Sequence, residues 1–115
     1  MSILIVDDHP SCRAAFKAVL EHDGFAVVGE AGDGASALTA ARELRPQVVL
    51  LDVQLPDTDG FSVAAELMKE GPAPQVVLTS SRDAADFGPL ITESGARGFI
   101  PKAEVSADRL TALLQ

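Results

Sequence analysis

With 115 residues, 47% of them hydrophobic and 23% charged, the chain has the length and balance of one soluble globular domain and leaves no room for two. Seventeen acids against nine bases give a net charge of −8, which repels phosphate backbones and argues against direct nucleic acid binding. No segment reaches the roughly 18 unbroken apolar residues of a membrane span, and the only cysteine, Cys12, permits no internal disulfide and fits a reducing cytoplasm.

In chain order, Ile3 to Val6 is a short apolar run that stops at Asp7 and Asp8. Pro10 and Ser11 can open a helix, with Cys12, Ala15, Phe16, Val19 and Leu20 at helical spacing until Asp23 and Gly24 end it. Phe25 to Val28 reads as a second strand and Glu30 to Gly34 as a polar loop. From Ala35 a helical stripe of Leu38, Ala41 and Leu44 runs to Pro46. Val48 to Leu51 then runs without a polar break into Asp52, the pattern of a strand buried on both faces. Pro56 and Gly60 turn the chain into a helix from Phe61 to about Lys69, with Val63, Ala64, Leu67 and Met68 inward. Gly71 to Pro74 breaks it. Val76 to Leu78 is a strand running into Thr79, Ser80 and Ser81. Gly88 and Pro89 fall where a fourth helix belongs, so the spacing predicts a loop from Asp83 and a short helix starting near Pro89. Gly98 to Ile100 is the fifth strand, and Ala107 to Leu114 the last helix, with Leu110, Leu113 and Leu114 inward.

Strands alternating with helices at this spacing imply βαβ units and a parallel sheet covered on both faces. Ligands of such sheets collect beyond the carboxyl ends of the strands, where the strand order reverses. Those ends carry Asp7, Asp8, Asp52, a hydroxyl from Thr79 or Ser80, and Lys102. Carboxylates forced together repel unless a cation joins them, and a hard divalent ion such as Mg2+ suits an all-oxygen set. A lysine opposite that ion supplies a point charge for a phosphate oxygen. The set is suited to holding a phosphoryl group on or beside a carboxylate.

These pieces resemble the receiver domains of two-component response regulators. The likeness runs from LIVDDHP at Leu4 to Pro10, through LLDVQLPDTDG at Leu50 to Gly60 and VVLTSS at Val76 to Ser81, to GARGFIPK at Gly95 to Lys102, so it spans essentially residues 1–115 as a single receiver domain with no output domain. It implies an α/β, doubly wound five-stranded parallel sheet of order 2-1-3-4-5, a flavodoxin-like three-layer sandwich. It also implies that Asp52 accepts a phosphoryl group from the phosphohistidine of a sensor histidine kinase or phosphotransfer protein. Mg2+ would be held by Asp8, Asp52 and the Gln54 backbone carbonyl, with Asp7 acting through water, and Lys102 would contact the phosphoryl group. Counting back from Lys102 by the family's interval selects Ser80 over Thr79 as the switch hydroxyl, and strand parity agrees, since Ser80 shares a face with Val76 and Leu78. Phe99 takes the switch aromatic's place, and Gln54 and Arg82 lie at the pocket mouth. The family further implies a partner, or a second copy in a homodimer, on the output face around Phe99 and the last helix. It implies a phosphoacceptor that takes part in its own phosphotransfer rather than a turnover enzyme.

Some features depart from that pattern. Pro101 precedes Lys102 where many receivers carry a proline after the lysine, an arrangement similar to the branch joined to helix-turn-helix output domains. The Gly88–Pro89 pair implies a remodelled output face. An Mg2+-dependent phosphatase with an aspartate nucleophile is the alternative, because DTDG at Asp57 to Gly60 is similar to a DxD signature, although it follows Pro56 in a loop. Asp57 and Asp59 otherwise serve the turn and the next helix, His9 belongs on the surface beside the pocket rim, and Cys12 is a small buried residue.

Overall fold

The computed structural model describes Met1–Gln115. Five parallel strands, β1 (Ser2–Val6), β2 (Ala26–Ala31), β3 (Val48–Asp52), β4 (Gln75–Ser80) and β5 (Gly98–Pro101), form one sheet in the order β2-β1-β3-β4-β5. Between them run α1 (Pro10–His22), α2 (Gly34–Leu44), α3 (Gly60–Lys69) and α4 (Leu90–Glu93), and α5 (Ala107–Leu113) follows β5. The fold class and strand order are those the sequence implied.

Parity along the strands explains why their sequences are continuously apolar. Leu4, Val6, Val49, Leu51, Val76 and Leu78 pack on one face with Ala37 and Ala41 of α2 and Val63, Ala64 and Leu67 of α3. Their neighbours Ile3, Ile5, Val48, Leu50, Val77 and Ile100 pack on the other with Phe16 and Leu20 of α1 and Ala107 and Leu110 of α5. A strand covered on both sides needs no polar alternation, and every residue of β3 is buried. Register then aligns the carboxyl ends: Val6 lies opposite Leu51 and Ala31, Asp52 opposite Thr79, and Ser80 opposite Pro101. The order reverses between β1 and β3, which places Asp7 and Asp52 side by side.

Several boundaries differ from the sequence reading. β2 is displaced to Ala26–Ala31, so Glu30 lies in a strand rather than a loop. It is an edge strand whose exposure alternates, and Glu30 turns outward to meet Arg13 at 3.1 Å. On α1 only Phe16 and Leu20 are buried; Val19 is 42% exposed and Ala15 lies open, because α1 touches the sheet along a narrower seam than its apolar residues suggest. Leu44, read as part of the α2 stripe, is likewise exposed. The segment after β4 holds a 3₁₀ turn at Ala84–Asp86 and only four residues of helix at Leu90–Glu93, as Gly88 and Pro89 require: Gly88 has φ +55. No helix is long and apolar enough to cross a membrane.

Candidate functional site

The site begins where β1 runs out of apolar residues. The Asp7 amide still donates to the Ala31 carbonyl (3.0 Å), extending the β1–β2 ladder by one residue and fixing the Asp7 backbone. Its side chain is fully buried, and Oδ1 accepts the His9 amide at 2.8 Å, which turns the chain into α1. The Arg13 guanidinium donates to the Asp7 carbonyl at 2.6 Å and so ties the first turn of α1 to the strand end. Asp8 is exposed at the rim.

Just past β3, the Val53 amide donates to the Thr79 carbonyl (2.9 Å) and the Gly60 amide to the Val53 carbonyl (2.7 Å), so the residue after Asp52 is held to both β4 and the start of α3. Gly60 is required here, because a Cβ would run into the Asp52 carbonyl and come within 2.9 Å of the Val53 Cα. The Asp52 side chain is 2% exposed at the residue level, and its Oδ1 accepts the Gln54 amide at 3.1 Å. From the end of β5, Lys102 extends its Nζ to 2.7 Å from Asp7 Oδ2 and 3.0 Å from Asp52 Oδ2.

Burial pushes the Asp52 carboxyl above its ordinary pKa of 3.8; the Lys102 hydrogen bond and the Gln54 amide oppose this without cancelling it, and the Asp7 charge reinforces it. Burial alone would lower the Lys102 pKa, but hydrogen bonds and charge from Asp7 and Asp52 raise it above 10.5. Lys102 Nζ thus serves as the one cation shared by the two buried carboxylates, Asp7 and Asp52. Asp7, Asp8, His9 and Asp52 each bring one ligand atom within 4.8 Å of the others. Three carboxylates gathered at one point against a single lysine give an all-oxygen donor set that a hard divalent cation fits.

The two candidate hydroxyls are both fully buried and differ in what they face. Thr79 Oγ1 donates to the Ile100 carbonyl at 2.6 Å, so its proton is committed within the sheet. Ser80 Oγ accepts the Arg82 amide at 3.1 Å, which leaves its own proton free to donate. Gln54 lies exposed at the mouth. Phe99 is half-buried, 5.7 Å from the Phe87 ring, which in turn meets Phe61 edge-on at 5.4 Å.

Neither acid of the DTDG stretch faces this site. Asp57 accepts the Gly34 and Ala35 amides (2.8 and 3.1 Å) at the start of α2, which lowers its pKa. It therefore anchors a different helix from the one it precedes in sequence. Asp59 caps α3 by accepting the Ser62 amide at 2.8 Å. The phosphatase alternative loses its signature with them. Cys12, in the first turn of α1, is half-buried rather than fully enclosed.

His9, expected on the surface beside the rim, is exposed there, with Nδ1 3.0 Å from Asp8 Oδ1 and 3.2 Å from Asp7 Oδ1. Two features escaped the sequence reading. Arg13 braces Asp7. The other is the aromatic row, in which Phe87, the one aromatic residue of the loop after β4, was the available signal; Arg82 lies over its ring at 5.9 Å and 3.5 Å from Asp86. At the opposite end of the sheet, by the amino ends of β1, β3 and β4, a cavity of ≈ 490 Å³ bounded by Arg42, Arg45 and Glu70 contains none of these groups.

A family model described as "Response regulator receiver domain" matches residues 3–115. A putative transcriptional regulator of Pseudomonas aeruginosa is 40% identical over 110 residues, covering 96% of this chain and 53% of the relative. BvgA of Bordetella pertussis, a putative positive transcription regulator of virulence factors, is 38% identical over 102 residues, covering 89% of this chain and 49% of the relative. The chain thus spans about half the length of these curated relatives. Among solved structures, the signal receiver domain of the putative response regulator NarL from Mycobacterium tuberculosis superposes with a TM-score of 0.88 at 34% identity, covering 97% of this chain and 91% of that one.

Proposed function

This chain belongs to the response regulator receiver domains of two-component signalling, and on that premise we propose that Asp52 accepts a phosphoryl group from the phosphohistidine of a sensor histidine kinase or phosphotransfer protein. The observation that supports this most directly is the placement of Lys102 between two buried carboxylates, Asp7 and Asp52, at the sheet's switch point. A carboxylate oxygen of Asp52 attacks phosphorus as the bond to the imidazole nitrogen breaks, and the pair of electrons leaves with the imidazole. No general base is needed, because the nucleophile carries no proton to remove once ionised. Lys102 Nζ, already 3.0 Å from Asp52, neutralises charge on the transferring group, and the free Ser80 proton donates to one of its oxygens.

Asp8, Asp52 and the Gln54 carbonyl would hold Mg2+, with Asp7 acting through water; when bound, the ion withdraws charge from the phosphoryl oxygens. The convergence of Asp7, Asp8 and Asp52, with carboxylate oxygens within 4.8 Å of one another, supports this assignment. The phosphorylated state acts through the face around Phe99 and α5, where an output partner or a second copy docks. With net charge −8 the domain itself does not bind nucleic acid, and it works in the cytoplasm as a phosphoacceptor rather than a turnover enzyme.

Incubation with Mg2+ and acetyl phosphate, followed by mass spectrometry, tests the reading. The wild-type chain is expected to gain one labile phosphoryl group and Asp52→Asn none. A wild-type chain that stays unmodified, or an Asp52→Asn chain that is modified equally, overturns it.

A further inference from the structure

We propose that Asp57 is a positioning residue for the metal site: by fastening the loop after β3 to the first turn of α2, it fixes where the Gln54 carbonyl meets a divalent cation. This role rests on the reading of Gln54 as a backbone ligand to that cation and concerns what holds the ligand in place.

The loop is a short ribbon fastened at its tip. Gln54 and Asp59 face each other across an antiparallel bridge, in which the Leu55 amide donates to the Thr58 carbonyl at 3.3 Å and the Gly60 amide to the Val53 carbonyl at 2.7 Å. In such a pair the flanking residues make the bonds, so the N–H and C=O groups of Gln54 point away from the ribbon. Its N–H donates to Asp52 Oδ1 at 3.1 Å, and its carbonyl is presented at the same edge. The direction of that carbonyl therefore follows the ribbon. At the tip, Asp57 Oδ1 accepts the Gly34 amide at 2.8 Å and Oδ2 the Ala35 amide at 3.1 Å. Beside them the Thr58 methyl occupies the space that a Cβ on Gly34 would take.

Asp57 is not the residue that caps α2. Asp33 does so, accepting the Ser36 amide at 2.7 Å. The two Asp57 bonds go to further amides of the same turn, which have no partner inside the helix. They tie the ribbon to a helix that is itself packed on the sheet through Ala37 and Ala41. A ribbon held at its base by Val53 and at its tip by Asp57 cannot swing the Gln54 carbonyl aside without breaking charge-assisted hydrogen bonds.

Mg2+ titrations of the full chain, followed by amide NMR shifts, compare Asp57→Ala with Asp33→Ala. Both variants remove one negative charge and one support of α2, but only the first releases the loop. Asp57→Ala is expected to weaken Mg2+ binding about tenfold, the scale of a lost support behind a metal ligand. Asp57→Asn keeps one acceptor oxygen and should weaken it less. In metal-free buffer, Asp57→Ala should lose hydrogen-exchange protection at the Gln54 and Leu55 amides, which Asp33→Ala retains. Labelling by acetyl phosphate should require about tenfold more Mg2+ in Asp57→Ala yet reach the wild-type rate at saturation. An Asp57→Ala chain that binds Mg2+ as well as wild type overturns the assignment. So does a loss of affinity without loss of protection, or an equal loss of affinity in Asp33→Ala. Asp52→Asn separates the two readings: if it loses Mg2+ while Asp57→Ala does not, only the Asp57 role fails. If the wild-type chain binds no Mg2+, the metal site itself fails and the Asp57 role falls with it.

Discussion

In metal-free buffer at pH 7, Asp52→Asn is expected to unfold at a higher temperature than the wild-type chain, because its charge sits where water cannot reach it and is only partly compensated. The side chain is 3% exposed, and such burial costs an ionised carboxylate several kcal/mol. Two groups offset this: Lys102 Nζ at 3.0 Å and the Gln54 amide at 3.1 Å, each worth about 1.5 to 3 kcal/mol as a hydrogen bond to a charged group. Asparagine keeps an oxygen for Gln54 and loses Lys102, which still has Asp7 at 2.7 Å. The raised pKa of Asp52 shows that burial wins over the compensation. The net gain for the variant is about 1 to 2 kcal/mol, or a rise in Tm of roughly 4 to 8 °C in a chain of this size. Circular dichroism is the appropriate probe, since the chain has no tryptophan or tyrosine. The sign with pH follows from the raised pKa. The folded wild type holds the Asp52 proton more tightly than the unfolded chain, so its stability falls as pH climbs from 3.8 through the folded value and is level above it. The advantage of the variant should therefore vanish below pH 3.8, and Mg2+ should narrow it by stabilising the wild type. An Asp52→Asn chain less stable than wild type at pH 7, or an advantage independent of pH, refutes the reasoning.

Lys102→Ala leaves Asp7 and Asp52 buried without their shared cation and should cost about 3 to 5 kcal/mol in urea unfolding with chelator present, much of it restored by Mg2+. Because the Lys102 pKa is raised, the stabilisation it provides is fully present below pH 10.5 and lost as pH rises through the folded value; an alkaline unfolding limb unchanged in the variant would contradict this. Gly60→Ala should cost about 1 to 3 kcal/mol and slow phosphorylation, because its methyl group pushes against the Asp52 carbonyl; a normal rate of labelling by acetyl phosphate would show that Asp52 tolerates the shift. Phe87→Ala removes two aromatic contacts, each worth about 0.5 to 1.5 kcal/mol. It should also shrink the amide shift changes that beryllofluoride and Mg2+ produce at Phe99 and α5, as read by NMR; full-sized changes would exclude a role for the aromatic row in transmission.

The elements legible from sequence were those in which burial constrains every residue. β1, β3 and β4 are covered on both faces, so their apolar runs and the polar residues ending them mark the strands and the site together. Strand parity favoured Ser80 over Thr79; the Thr79 hydroxyl donates to the Ile100 carbonyl, while Ser80 Oγ accepts the Arg82 amide. β2 was misplaced because an edge strand tolerates a polar residue such as Glu30, which then reads as loop. The width of the α1 seam was overestimated because alanine and valine carry little information about which side of a helix they occupy. Asp57 was assigned to its own turn, yet its partners, Gly34 and Ala35, lie 23 and 22 residues away. Likewise Phe61 of α3, Phe87 of the loop after β4 and Phe99 of β5 meet only through the tertiary fold, and nothing in local periodicity announces such a meeting.

The connections around Ser80 offer a route by which a change at Asp52 would reach the far face. Ser80 Oγ presently accepts the Arg82 amide, so turning the serine toward a phosphoryl group pulls on the backbone that positions Arg82. That guanidinium rests over Phe87, and Phe87 touches both Phe61 at the start of α3 and Phe99 on β5. The intervening segment resists little, since α4 is one helical turn flanked by Gly88 with φ +55 and no residue from Arg82 to Asp86 is buried. The sheet end, by contrast, is held through Val53, whose amide donates to Thr79 and whose carbonyl accepts from Gly60. We propose that charge gained at Asp52 is relieved through the loop after β4, and that the aromatic row converts that movement into a change of packing at Phe99.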